Sequence, residues 1–286
     1  VIDRVPIIPL ADYVIDEMAG ATTREAAQMR LRDLARRMTG EDIADARLMC
    51  ISGRYEFHNK GIDLLLDALA TLNAKPGRGV VLFVLVPAGN SGLRREVIER
   101  QKQDLGSIQG PIGLSTHNLF EPEKDPLQQR CRELGLSNAL GARVKVIQVP
   151  VYLGVGDGIF DLPYEAVLRA MDLSCFPSFY EPWGYTPEES LAVGVPTITT
   201  DCAGFGRFAR EAKLTWEQGV HVLTRVGVEY VKAANALAEL LEVVLAEERD
   251  QKDVYEACRK TARLTAWSDL IAHYEALAAA GKTSVA

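Results

Sequence analysis

Residues 178–206 read SFYEPWGYTPEESLAVGVPTITTDCAGFG. They follow the apolar run Leu173 to Pro177, which has the make-up of a buried strand. Together they predict a strand, a tight loop and a capped helix. The loop holds Glu181, Pro182, Trp183 and Gly184. Thr186-Pro187-Glu188-Glu189 then carries the helix-start signals: Thr186 as N-cap, Pro187 at the first helical position, and Glu189 as capping-box partner. A helix that starts just past the carboxyl end of a strand turns its free N–H groups and positive dipole end into a cleft. In an open α/β sheet that cleft is where an anionic ligand, often a phosphate, is held.

The rest of the chain extends the pattern. Thr22 to Met38 has apolar residues at helical spacing among many charges and predicts an amphipathic helix. Strands are predicted at Arg47 to Gly53, Val80 to Val86, Val144 to Val149, Leu173 to Phe176, Pro196 to Thr200 and Gly219 to Leu223, and the nearly pure Val/Leu/Phe run Val80 to Val86 marks a strand buried on both faces. Helices are predicted at Gly61 to Asn73, Leu93 to Leu105, Pro126 to Leu134, Tyr164 to Met171, Pro187 to Val193, and from Glu229 to the C-terminus. Gly106 to Pro122, rich in Gly, Ser, Pro and Asn, reads as an exposed insertion. Such alternation implies an α/β fold, a parallel sheet with helices on both faces. Right-handed crossovers put every strand–helix loop at one rim, so the loops after Gly53, Pro150 and Pro177 converge there. Residues 1–46 read as a helical lead-in, and 47–286 as the lobe with its C-terminal helices. The chain begins at Val1, which suggests a piece of a longer polypeptide.

The whole-chain figures exclude several classes. A net charge of −7 argues against nonspecific nucleic-acid binding. No apolar run is long enough to span a membrane, and no signal peptide is visible. The five cysteines (Cys50, Cys131, Cys175, Cys202, Cys258) are scattered without CxxC spacing. That favours free thiols in a reducing, cytoplasmic setting over disulfides or a zinc site. No Asp-x-Asp, nucleophile elbow, Walker loop or full dinucleotide fingerprint occurs.

Two segments carry candidate chemistry. Glu181 in the loop and Glu189 on the first helical turn can line one cleft; a plainer reading makes Glu189 a capping partner and Glu181 a surface acid. Trp183 and Tyr185 are costly to expose in a short loop, and Gly184 permits close backbone approach. The second segment is Gly53-Arg54-Tyr55-Glu56-Phe57-His58-Asn59-Lys60-Gly61. Arg54 and Lys60 at a sheet's carboxyl rim suit a diphosphate, one by bidentate bonds and the other as a point charge, or they are solvated surface cations. Tyr164 opens its helix and either stacks on a base or packs in the core. Ala203-Gly204-Phe205-Gly206 follows a strand and could turn backbone N–H groups to the same rim.

Ser52 to Gly61 and Tyr180 to Glu189 resemble the two signature stretches of animal- and fungal-type glycogen synthases. Val144 to Ile147, Phe176 to Ser178 and Ala203 to Gly206 fit the same pattern in the same order, and the likeness runs from about Leu48 to Tyr274. The resemblance implies the donor-binding, Rossmann-like lobe of a two-lobed GT-B enzyme. Such an enzyme moves glucose from UDP-glucose to the 4-hydroxyl end of an α-1,4-glucan, with retention and with no cofactor or essential metal. By matching position, Arg54 and Lys60 would hold the diphosphate, Tyr164 would stack on uracil, and Glu181 would face the glucose. Trp183 and Gly184 would lie at the sugar, Tyr185 and Thr186 at the phosphate, and Glu189 at the ribose.

The implied partners are UDP-glucose, the glucan acceptor and the missing N-terminal lobe, with no nucleic acid or membrane; a homo-oligomer is compatible. The sequence does not choose between UDP- and ADP-glucose. Only Arg259, Lys260 and Arg263 stand where the family has an arginine-dense helix, so activation by glucose 6-phosphate is expected to be weak or absent. The isolated lobe is expected not to turn over. Rival readings are another GT-B enzyme, such as an epimerase or a pyridoxal-phosphate phosphorylase, and a non-catalytic glucan-binding or regulatory lobe.

Overall fold

Eight strands and nine helices are found among the described residues of the computed structural model, which are 22–266 together with 268, 271 and 275. In chain order the strands are β1 (Arg47–Ser52), β2 (Val80–Leu85), β3 (Asn90–Leu93), β4 (His117–Leu119), β5 (Val144–Gln148), β6 (Leu173–Cys175), β7 (Thr197–Thr200) and β8 (Val220–Leu223). The helices are α1 (Arg24–Thr39), α2 (Ile62–Asn73), α3 (Arg95–Gln101), α4 (Pro126–Leu134), α5 (Tyr164–Arg169), α6 (Tyr185–Ala192), α7 (Gly204–Glu211), α8 (Tyr230–Ala246) and α9 (Gln251–Arg263).

The main sheet has the order β5-β2-β1-β6-β7-β8, and every pair in it is parallel. The chain steps outward from β1 to β5 on one side and from β6 to β8 on the other, which is a Rossmann-like, doubly wound order. Its reversal lies between β1 and β6, where the loops leaving the two strands part to opposite faces and open a crevice.

Both faces of the sheet are covered, which is why its strands read as unbroken apolar runs. Side chains alternate between two cores. Leu48, Cys50, Val81 and Phe83 point to the face carrying α1, α5, α6, α7 and α9. Met49, Ile51, Leu82 and Val84 point to the face carrying α2, α4 and α8. All five cysteines are free thiols, and only Cys202 is more than slightly exposed.

α1 forms where the periodicity predicts it. Thr23 caps it by accepting from Ala26 N at 3.2 Å, and Gly40 ends it at φ 73°. The sequence places a lead-in here, yet Ala27, Leu31, Ala35 and Met38 are fully buried in the same core as the sheet. Burial of a side chain like Leu31 contributes about 1.5–3 kcal/mol. Arg24 reaches Asp172 at 2.6 Å, and the other oxygen of Asp172 accepts Leu48 N at 2.8 Å, so α1 is tied to the base of β1 and β6. Residues 1–21 lie outside the described residues.

Three expectations need correction. The helix predicted from Leu93 to Leu105 is shorter, Arg95–Gln101, and strand β3 precedes it. The segment 106–122 is not wholly exposed: Thr116 is fully buried and His117 nearly so. Thr116 N donates to Gln148 O at 3.0 Å and Gln148 N to Leu114 O at 2.9 Å, so this segment lies along the outer edge of β5. The polar residues are buried because their hydrogen bonds are met. The helix predicted from Glu229 onward breaks at 247–250, where Asp250 caps α9 by accepting Lys252 N and Asp253 N. Residues beyond 266, other than 268, 271 and 275, lie outside the described set. No helix among the described residues is long and apolar enough to cross a membrane.

Candidate active site

A pocket of about 640 Å³ opens at the carboxyl rim beside the β1/β6 crevice. Three stretches form it: Ser52 to Tyr55 after β1, Val151 to Leu153 after β5, and Thr186 with Glu189 on α6, with Tyr164 of α5 at its floor. The loops after Gly53 and Pro150 meet here as expected, whereas the loop after Pro177 lines no part of the pocket and α6 takes its place. One wall is apolar (Leu85, Pro87, Val151, Leu153) and the other carries Arg54, Thr186 and Glu189.

Tyr164 is fixed at its hydroxyl. Its O–H donates to Glu189 Oε2 at 3.3 Å, and Ser52 Oγ, 2.7 Å from the Tyr164 hydroxyl oxygen, donates to it. Burial pushes the Tyr164 phenol well up, and the nearby Glu189 adds to it. Burial also pushes the Glu189 carboxyl up, against the pull of the Tyr164 hydrogen bond. Ser52 belongs to the stretch quoted above but was not singled out; its place at the end of a buried strand is the signal that could have marked it. Tyr55 and Tyr152 also line the pocket. Tyr55 is braced from behind, donating to Asp125 at 2.8 Å.

The loop after β1 and the loop after β6 are laced together. Phe179 N donates to Asn59 O at 2.8 Å. Gly61 sits at φ 71°, and a Cβ there would stand 2.0 Å from the Pro177 carbonyl oxygen, so only glycine permits the approach. The pairing brings Lys60 Nζ onto Glu181 Oε2 as an ion pair, with both side chains mostly buried. Lys60 Cε lies 3.8 Å from where a Cβ of the pocket residue Gly53 would be, but Lys60 is not itself among the lining residues. Glu181 itself is not among the lining residues, whereas Glu189 is. Arg54 lines the pocket, but its guanidinium is paired with Glu56 at 2.8 Å and is 75% exposed. Arg54, Lys60 and Thr186 thus share one rim.

The start of α6 differs from the expected capping box. Gly184, at φ 101°, is the N-cap, the helix begins at Tyr185, and no side chain caps it. Proline is tolerated throughout a first turn, whose N–H groups have no helical partner, so Pro187 did not fix the start. Thr186 is therefore inside the helix and faces the pocket. Glu189 bonds Tyr164 instead of capping. A Cβ on Gly184 would press on Glu181 Cγ at 3.2 Å. Tyr185 is half-exposed at the helix mouth.

Trp183 was expected at the sugar, but its indole is buried. It stands edge-on to Phe205 with centroids 6.2 Å apart, near Phe208, and its N–H donates to Glu188 Oε2 at 2.9 Å. The ring supports the loop from beneath and does not line the pocket. The Ala203 to Gly206 segment leads into α7, and two of its N–H groups are engaged by the preceding loop: Gly204 N donates to Glu181 O at 3.1 Å and Phe205 N to Trp183 O at 2.9 Å. These two bonds brace the Glu181 to Gly184 loop. Among the described residues no group of three or more His, Cys, Asp and Glu could hold a metal ion.

Comparison with known proteins gives a consistent result. A family model described as glycogen synthase matches residues 91–281. Liver glycogen (starch) synthase of Mus musculus is 31% identical over 222 residues, covering 59% of this chain and 32% of the relative. Glycogen (starch) synthase isoform 2 of Saccharomyces cerevisiae is 27% identical over 276 residues, covering 74% of this chain and 39% of the relative. The chain therefore spans about a third of the length of these curated relatives. Among solved structures, the Anabaena protein HepE in complex with UDP matches 94% of this chain and 55% of its own with a TM-score of 0.53 at 16% identity. The N-terminal domain of Candida albicans trehalose-6-phosphate phosphatase matches 94% and 48% with a TM-score of 0.55 at 12% identity. These two likenesses are of fold.

Proposed function

The chain belongs to the glycogen synthase family, and from that premise we propose that it is the donor-binding lobe of a GT-B glucosyltransferase. The enzyme would transfer glucose from UDP-glucose to the 4-hydroxyl end of an α-1,4-glucan with retention, the N-terminal lobe supplying the acceptor side. The observation that carries the reading is the pocket at the switch point of the sheet, apolar on one wall and polar on the other, with a cation-bearing loop at its mouth. That arrangement suits a nucleotide: a base on Tyr164 against the apolar wall, a ribose at Glu189, and a diphosphate at the start of α6.

The chemistry follows from charge. Breaking the bond between glucose C1 and the diphosphate leaves negative charge on the departing UDP. Arg54, Lys60 and the positive dipole end of α6 stabilise that charge more than the ground state, which is the kind of binding that raises turnover. In this proposal they do so without a cofactor. Glu181, held by Lys60 beside Gly184, faces the sugar from the other side of the diphosphate.

Calorimetric titration of UDP into the chain tests the reading. Arg54→Ala is expected to weaken binding by about 1–3 kcal/mol, the range of a charged hydrogen bond. An unchanged affinity would remove Arg54 from the site.

A further inference from the structure

Glu188 lies next to a pocket residue yet reaches no pocket. Its side chain is fully buried, one oxygen accepts the Trp183 N–H at 2.9 Å, and Oε1 has no hydrogen-bond partner among the described residues. A carboxylate in such a place is costly, because burying a charge without full pairing is far worse than burying a neutral polar group. Trp183 is the floor of the segment that holds Glu181 against Lys60 and places Gly184 at the start of α6. Whatever Glu188 does to Trp183 is therefore felt at the pocket's charged wall.

We propose that Glu188 is a positioning residue that holds the Glu181 to Gly184 loop in its ligand-binding shape through the buried Glu188–Trp183 hydrogen bond. The inference rests on the donor-site reading above. The residue acts in its neutral form, since the neutral acid still accepts the indole N–H while removing the buried charge.

The surroundings favour that form. Burial pushes the Glu188 carboxyl up to about 8; Thr265 and Trp183 pull it down, and Glu189 on the same helix pushes it further up. The elements packed on α6 carry other titratable groups: Lys252, Asp253, Tyr255, Glu256, Cys258, Arg259, Lys260 and Arg263 on α9, and Tyr164, Glu165 and Arg169 on α5. α7 brings Arg207, Arg210 and Glu211, and β6 brings Cys175; β7 has no titratable residue. Among all these charges only Glu189 moves Glu188.

The sign is as follows. When the loop opens and Glu188 meets water, its carboxyl returns toward the ordinary glutamate value near 4.5. The closed loop then binds the proton more tightly than the open one. Closure is fully favoured below the ordinary value, is lost as pH rises toward about 8, and falls no further above that.

The test is UDP affinity of the chain between pH 6 and pH 9, by calorimetry, for the wild type, Glu188→Gln and Trp183→Phe. Glutamine keeps an acceptor for the indole and cannot ionise. The variant should already bind more tightly than the wild type at pH 6 and gain further on it as pH rises, by up to about tenfold for each pH unit until the wild type levels off near pH 8. Trp183→Phe keeps a ring but loses the N–H, and should bind UDP several-fold more weakly at pH 6. Ligand ionisation and every other group are shared by wild type and Glu188→Gln, so they cancel in the ratio. Parallel pH profiles for these two proteins, or an unweakened Trp183→Phe, would overturn the proposal while leaving the donor site standing. Absence of UDP binding at every pH in all three would overturn the donor site itself.

Discussion

Lys60→Ala is expected to lower the turnover of the complete enzyme about 10²–10³-fold, the usual effect of removing one preorganised donor from developing negative charge. Lys60 differs from a surface cation in being mostly buried and held in place by Glu181. Its charge is therefore fixed before the reaction, and little reorganisation is needed as UDP departs. Removing it has a second consequence: the Glu181 carboxylate is left mostly buried and without its partner. A double-mutant cycle separates the two effects. If Lys60 acts on the diphosphate, Lys60→Ala should lower UDP affinity in a Glu181→Ala background as well. Loss confined to proteins that retain Glu181 would show that Lys60 serves only to neutralise that acid.

The second large effect is on stability. Gly61→Ala is expected to destabilise the chain by about 2–6 kcal/mol, a large share of the roughly 5–15 kcal/mol that holds a domain together. Two causes combine: a left-handed backbone at φ 71° and a Cβ driven to 2.0 Å from the Pro177 carbonyl oxygen. Gly135→Ala is the control, because Gly135 has nearly the same φ of 69° and nothing within 4 Å of the added carbon. It should cost only about 1–2 kcal/mol, the left-handed strain alone. Urea midpoints of the two variants check this, and equal losses would mean that the contact of the two loops does not matter.

Much of the frame could be read without coordinates. Val80 to Val86 and Val144 to Val149 were legible as buried strands, the first as one covered on both faces, and the alternation of strand and helix implied the parallel sheet. The convergence of the loops after Gly53 and Pro150 followed from handedness alone. What escaped was set by partners distant in sequence. Trp183 was judged by the cost of exposing it, and the fold meets that cost by burying it under Phe205 and over Glu188. Nothing local could show that Lys60 would find Glu181, 121 residues away. Pro187 fixed a helical first turn but not which residue opened it, and the positive φ of Gly184 decided that. No helix was expected at Ala203 to Gly206, where α7 begins, and glycine is required there because a Cβ on Gly206 would stand 1.9 Å from Thr200 O.

A crystal structure of the chain with UDP tests the central claim most directly. The account predicts uracil against Tyr164, ribose at Glu189, and the diphosphate between Arg54, Lys60 and the first turn of α6. A nucleotide seated elsewhere, or one whose diphosphate touches neither cation nor the start of α6, would contradict it.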